Sequence, residues 1–357
     1  MNNNIENQTL STDNYLYRDL IILYCPEKVG STSIISSIRI SASEKFMVFH
    51  THENKIADIV NLGIEIKVSD LIMNNKIINP LTKEFRKIYV IDIFRTPIER
   101  KISNFFQKIS EIHFNNSEFN ISNYPIEKIF KRFNDIFVHT KEIDYFNELY
   151  NCGNIDKFDF DNKYILKEIN NVFYIKLRLD DSKYWGDILT KILKTPIYII
   201  NDYQTINKNI GQLYNKFKKE YKLPLNYYKL IENSNMLNIY LNLEEKNKYL
   251  NNWLNKLTID YIPFTNLEYT FYIKISEENK FYCANTSNLH YNDDGCICNT
   301  CKDKRNIVIY NLKNNIEQKI YIRHIYDEQY NNNIYIKLFP TNNYQFSNEL
   351  IINLINS

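Results

Sequence analysis

A lysine, a glycine and three hydroxyl side chains crowd into one short stretch, Pro26-Glu27-Lys28-Val29-Gly30-Ser31-Thr32-Ser33. The apolar run Leu20-Ile21-Ile22-Leu23 precedes it and helix-like spacing follows, so the stretch reads as a strand–turn–helix junction. Such a junction can hold an anion. Gly30 permits a tight turn, the first helix amides meet the ligand, and Lys28 adds a point charge. Equally, the hydroxyls could serve only as helix caps. The Walker pattern, Gly, four residues, then Gly-Lys-Ser/Thr, is absent.

A second stretch, Phe94-Arg95-Thr96-Pro97-Ile98-Glu99-Arg100-Lys101-Ile102-Ser103, follows another apolar run. Arg95 falls at a strand end. Arg100 and Ser103, three residues apart, share one face of the next helix. A forked guanidinium beside a hydroxyl suits a phosphate monoester. Taken alone, the same residues describe a surface salt bridge to Glu99 on a solvated helix.

His50 and His52 close a third apolar run and face the same side if the strand continues. Two imidazoles beside an anion cleft could act as base and orienter, His52 foremost and His50 second. Glu53 is the alternative base, and a purely structural pair at an exposed strand end is the bland one. Farther on, Cys283, Cys296, Cys298 and Cys301 crowd a short Gly-containing span. Four thiolates so placed suit tetrahedral zinc, although only one Cys-x-x-Cys is present; reduced structural thiols or disulfides are the alternatives.

Together the first two stretches resemble the sulfotransferase family that uses 3′-phosphoadenylyl sulfate. Its members carry a Lys-bearing Pro-x-x-Gly-Thr/Ser-Thr/Ser loop and an Arg-x-x-x-x-Arg-x-x-Ser stretch. The Lys-Val-Gly-Ser-Thr-Ser form is especially similar to bacterial-type capsular polysaccharide synthesis proteins and carbohydrate 2-O-sulfotransferases. The latter also carry a similar His-x-His. The resemblance spans residues 18–250. It implies that Lys28, Gly30, Ser31, Thr32 and Ser33 hold the phosphosulfate while Arg95, Arg100 and Ser103 hold the 3′-phosphate. It also implies a carbohydrate or small hydroxyl-bearing acceptor. The chain departs from the pattern by one extra residue between Pro26 and Gly30, and by Leu179 where a late-strand aromatic is usual. A P-loop-type small-molecule kinase, or an inactive binding module of the same fold, are the competing expectations.

These residues need a scaffold. Strands near residues 20–24, 44–50, 87–94 and 171–179 alternate with helical patterns. The clearest is the amphipathic segment after Pro97, with Ile98, Ile102, Phe105, Phe106 and Ile109 on one stripe. The alternation predicts an α/β fold with a mainly parallel sheet and a P-loop-like turn. Residues 1–17 read as a flexible tail and 18–260 as the α/β domain. A further strand is expected at 196–202. Residues 261–357 read as a small β-rich module with strands at 266–275, 280–285, 306–312, 319–325 and 333–339.

A net charge of +2 is too small to imply a nucleic-acid partner, so any anion site must be local. No apolar run reaches about 18 residues and no secretory apolar segment is seen. A cytoplasmic protein with no membrane span is the expectation.

Overall fold

The computed structural model describes residues 18–54, 67–73, 86–200, 210–278, 299–314 and 316. Five strands build its main sheet: β1 (Asp19–Tyr24), β2 (Phe46–Thr51), β3 (Ile88–Phe94), β4 (Ile165–Ile169) and β5 (Val172–Arg178). Their order is β2-β1-β3-β5-β4. The first four run parallel, and β4 lies antiparallel to β5 at one edge. The mainly parallel α/β arrangement is therefore present. Two-residue strands β6 (Leu223–Pro224) and β7 (Leu257–Thr258) pair separately.

The helices are α1 (Ser31–Ala42), α2 (Val68–Met73), α3 (Pro97–Gln107), α4 (Glu118–Ser122), α5 (Ile126–Ile136) and α6 (Tyr145–Glu148). After β5 come α7 (Trp185–Leu193), α8 (Gly211–Glu220), α9 (Leu225–Glu232), α10 (Asn235–Tyr240) and α11 (Leu243–Leu254). Two more, α12 (Asn266–Glu278) and α13 (Asn299–Lys313), complete the described set.

Strand alternation divides the core into two layers. Ile21 and Leu23 of β1 pack with Tyr89, Ile91, Ile175 and Leu177 against α1 and α7, through Ile34, Ile38, Trp185 and Leu189. Leu20, Ile22 and Tyr24 pack on the other side with Val90 and Phe94 against α3, α5 and α8. Helices on both faces explain why β3 is buried along its whole length and reads as an apolar run broken only by Asp92.

β4 is half-exposed and shows no clean alternation, so its sequence carries no strand signal. A two-residue turn sets it beside β5: Ile169 pairs with Val172, and Asn170 and Asn171 between them both take positive φ, 49° and 65°. That is the backbone of a type I′ hairpin, which asparagine tolerates. Asn171 Nδ2 also donates to the Arg86 carbonyl at 2.9 Å.

Two expected C-terminal strands are helices. Residues 266–275 lie in α12. Thr265 and Glu268 close a capping box at its start, with Glu268 N–H donating to Thr265 Oγ1 and Thr265 N–H to Glu268 Oε2. Its aromatics are spaced for a helix face: Tyr269 stacks on His139, and Tyr272 stacks on His113. These rings mimic strand composition but pack as a helical stripe. Residues 306–312 fall inside α13, which lies on α1. Residues 196–200 form no ladder; the amides of Tyr198 and Ile200 donate to Ser41 Oγ and Ser37 Oγ, laying this segment along α1. The other strands proposed for the C-terminal module, and the tail 1–17, lie outside the described residues.

Candidate anion-binding site

In an open parallel sheet, ligands bind beyond the carboxyl ends of the strands where the strand order reverses. Here the chain steps from β1 outward to β2 and then back past β1 to β3, so the reversal lies between β1 and β3. The loop after β1 and the arginine after β3 both emerge there.

The loop is tightly wound. Lys28 has φ 66° and Gly30 φ 91°, two left-handed residues within three positions. Gly30 is the N-cap of α1; no side chain caps the helix, and no acidic residue stands in its first turn. Within that turn the Ser33 and Ile34 amides donate to the Gly30 carbonyl at 3.2 and 3.5 Å, and the amides before them are the ones a helix start leaves without an intrahelical acceptor. Residue 30 favours glycine: its φ is one that L side chains rarely adopt, and a Cβ there would lie 2.9 Å from Leu179 Cδ1 and 3.1 Å from Trp185 Cη2. Leu179, the residue in the aromatic's place, thus forms part of the loop's wall.

Three residues grip the loop: Arg95, just after β3, Asn104 of α3, and Lys108 at the end of that helix. Arg95 Nη1 donates to the Lys28 carbonyl at 2.7 Å. Glu27 accepts from Asn104 Nδ2 at 2.8 Å and pairs with Lys108 Nζ at 3.1 Å. Burial works to raise the Glu27 pKa, but Lys108 and Asn104 outweigh it and hold the carboxyl below the usual range. Sequence reasoning overlooked Glu27, which is part of the longer spacing before Gly30.

The three hydroxyls are not equivalent. Ser31 is buried and hydrogen-bonds the Cys25 thiol, whereas Thr32 and Ser33 are half-exposed. Arg100 and Ser103 also depart from expectation. Both are buried, and Arg100 Nη2 donates to Glu142 Oε1 at 3.0 Å and to the Lys141 carbonyl at 2.6 Å. Lys101 binds the same carboxylate and the Phe137 and Thr140 carbonyls. Arg100 is committed to joining α3 to the segment after α5, so Arg95 alone of the two arginines meets the loop.

His50 and His52 do come together, with ring centroids 4.6 Å apart and planes at 81°. His52 Nδ1 donates to the Cys25 carbonyl at 2.7 Å, which leaves the lone pair on Nε2. Burial lowers the His52 pKa, against the raising effects of that carbonyl and of Glu27. The Tyr145 hydroxyl donates to the His52 carbonyl and fixes its backbone. Glu53, the alternative base, is exposed.

Behind the site lies a buried charge network that was legible only in part. Lys176 Nζ contacts Asp92 Oδ2 at 2.6 Å and Asp144 Oδ1 at 3.2 Å, and Tyr240 donates to Asp144 Oδ2 at 2.6 Å. Asp92 and Lys176 face each other in register on β3 and β5. Each is a charge set within an apolar run, Val90–Phe94 and Val172–Leu177, which is the sequence signal for the pair.

Cys283, Cys296 and Cys298 lie outside the described residues. Cys301 sits in α13, its side chain likewise outside them. No protein-family model matches the chain, and no curated protein or solved structure does either.

Proposed function

We propose that the chain transfers a sulfuryl group from 3′-phosphoadenylyl sulfate to a hydroxyl, with a carbohydrate as the acceptor class. The observation carrying this reading is the convergence of Lys28, Arg95 and an uncapped helix start at the sheet's reversal point. Helix amides and two cations suit a doubly anionic donor.

In this reading the acceptor oxygen attacks sulfur as the bond from sulfur to the bridging oxygen breaks. The hydroxyl proton passes to His52 Nε2, and the nucleotide departs with the electron pair. Lys28 and the amides of residues 30–32 face the charge that builds on the departing oxygen. Arg95 addresses the 3′-phosphate. Ser103 and Arg100, both buried, act by shaping α3 rather than by contact.

Calorimetric titration with 3′-phosphoadenosine 5′-phosphate, adenosine 5′-phosphate and ATP tests the assignment. The first should bind at least tenfold more tightly than the other two. Preference for ATP would point to a kinase, and no binding of any of the three would leave only a non-catalytic module.

A further inference from the structure

We propose that Cys25, His50 and His52 form a three-ligand site for a borderline-soft divalent ion of the Zn²⁺ class. The site shares its two histidines with the sulfuryl-transfer reading, which neither uses Cys25 nor requires a metal, so an ion bound there and His52 acting as base exclude each other.

One sulfur and two ring nitrogens from these residues lie within 4.8 Å of one another. Around a tetrahedral ion with Zn–S of about 2.3 Å and Zn–N of about 2.0–2.1 Å, ligand atoms sit roughly 3.3–3.6 Å apart. The existing set is therefore wider than that by at most roughly 1.2–1.5 Å, a distance side-chain rotation can close. Thiolate plus imidazole is the donor chemistry that selects zinc and its neighbours over magnesium or calcium.

The ligands are carried by paired strand ends. Leu23 lies opposite His50 and Tyr24 opposite Thr51 in the parallel β1–β2 register, and the Cys25 amide continues the ladder to the Thr51 carbonyl at 3.4 Å. Cys25 and His52 are thus the next residues along adjacent strands. They are also joined directly, since the Cys25 carbonyl accepts from His52 Nδ1. A backbone carbonyl on the second ring nitrogen is the partner that orients a metal-binding histidine and leaves Nε2 to bind. Tyr145 braces the same residue from behind. Cys25 is fully buried while both histidines are half-buried, so an ion would enter over the imidazoles and meet the thiol last.

Binding would break the Cys25 S–H bond, form the metal–sulfur bond and release one proton to solvent. Both imidazoles would bind neutral, and water would fill the fourth position. The ion would keep one net positive charge. Burial, the largest influence on Cys25, holds its thiol protonated, and the neighbouring Asp92 adds to this; the carboxylates of Glu27 and Asp92 favour the ion's charge, while Lys28, Lys108 and Lys176 oppose it. Occupation would also consume the His52 lone pair, so the ion would block proton acceptance there.

Co²⁺ titration of the full chain tests the site, read by the near-ultraviolet thiolate-to-cobalt charge-transfer band and by equilibrium dialysis. Wild type should bind one more equivalent than Cys25→Ser, with a correspondingly stronger band, whatever ions the C-terminal cysteines add to both. Cys152→Ser should match wild type. His50→Gln should weaken the same site at least tenfold, and it serves if Cys25→Ser does not fold. Identical stoichiometry and spectra in wild type, Cys25→Ser and His50→Gln would overturn the proposal. Because the readout is metal content, its failure would leave the nucleotide titration untouched, and the reverse holds as well.

Discussion

The guanidinium of Arg95 and the main-chain carbonyl of Lys28 meet at 2.7 Å across 67 residues of sequence. One arginine thereby holds the loop in its left-handed turn and adds charge beside Lys28. Arg95→Ala should weaken binding of 3′-phosphoadenosine 5′-phosphate about 10- to 100-fold, the cost of one or two charge-assisted bonds. Arg95→Lys should recover little, since an ammonium cannot reproduce the fork. Arg100→Ala should cost stability with affinity kept. Calorimetry alongside urea denaturation separates the two, and equal affinity losses in both arginine variants would put Arg100 back among the nucleotide ligands.

Gly30→Ala should destabilise the fold by about 1–3 kcal/mol, from the positive φ and from contact with Leu179 and Trp185. Adding Leu179→Ala relieves the contact but leaves the backbone strain. Partial recovery of the denaturation midpoint is therefore expected from the pair. Full recovery would show that crowding alone excludes a side chain there.

Lys176 is 1% exposed between two carboxylates. Lys176→Met should cost about 3–5 kcal/mol, because Asp92 and Asp144 are left buried without a counter-charge. Burial already pushes the Asp92 pKa up despite the ammonium. Asp92→Asn/Lys176→Met should regain part of the loss, which chemical denaturation would measure.

The α/β plan was legible because apolar strands and amphipathic helices alternate cleanly between residues 20 and 107. The loop was legible because Lys28, Gly30 and the hydroxyls are contiguous. What escaped was set by tertiary partners. Arg100 occupies the expected helix position, but Glu142, 42 residues on, captures it. Cys25 has no partner near it in sequence because His50 and His52 belong to another strand. In α12 aromatic and β-branched composition suggested a strand, whereas the capping box at Thr265–Glu268 and rings stacked on His113 and His139 make a helix.

If His52 is the base, turnover should rise with pH through an apparent pKa below the ordinary value of about 6.5, since burial lowers it. His52→Ala should lose turnover while retaining the nucleotide. An acid limb persisting unchanged in His52→Ala would transfer the role to Glu53 or His50.

His113 gives a stability signature. Burial, aided by Arg132 and Lys108, lowers its pKa to about 3. The unfolded chain then binds the proton first, so this group's contribution is whole above about pH 6.5 and is lost as pH falls toward 3. Each unit in that window is worth about 1.4 kcal/mol. Urea denaturation of wild type and His113→Phe at pH 7 and 4.5 should show a smaller acid loss in the variant. Equal losses would mean that His113 is not held neutral.

The Asn170–Asn171 turn bears on the order of assembly. Bringing β4 to β5 closes a loop of two residues, whereas pairing β1 with β3 must first close more than sixty, at a larger entropic cost. The hairpin is therefore expected to form before the parallel ladders and to offer β3 a ready template, with Asn171 already placed to take the Arg86 carbonyl. Pulse-labelled hydrogen exchange during refolding should find β4 and β5 amides protected ahead of those in β1. Substituting Asn171 by a β-branched residue should slow refolding by about as much as it destabilises the chain. A site that waits on distant strands thus rests on an edge that can organise itself first.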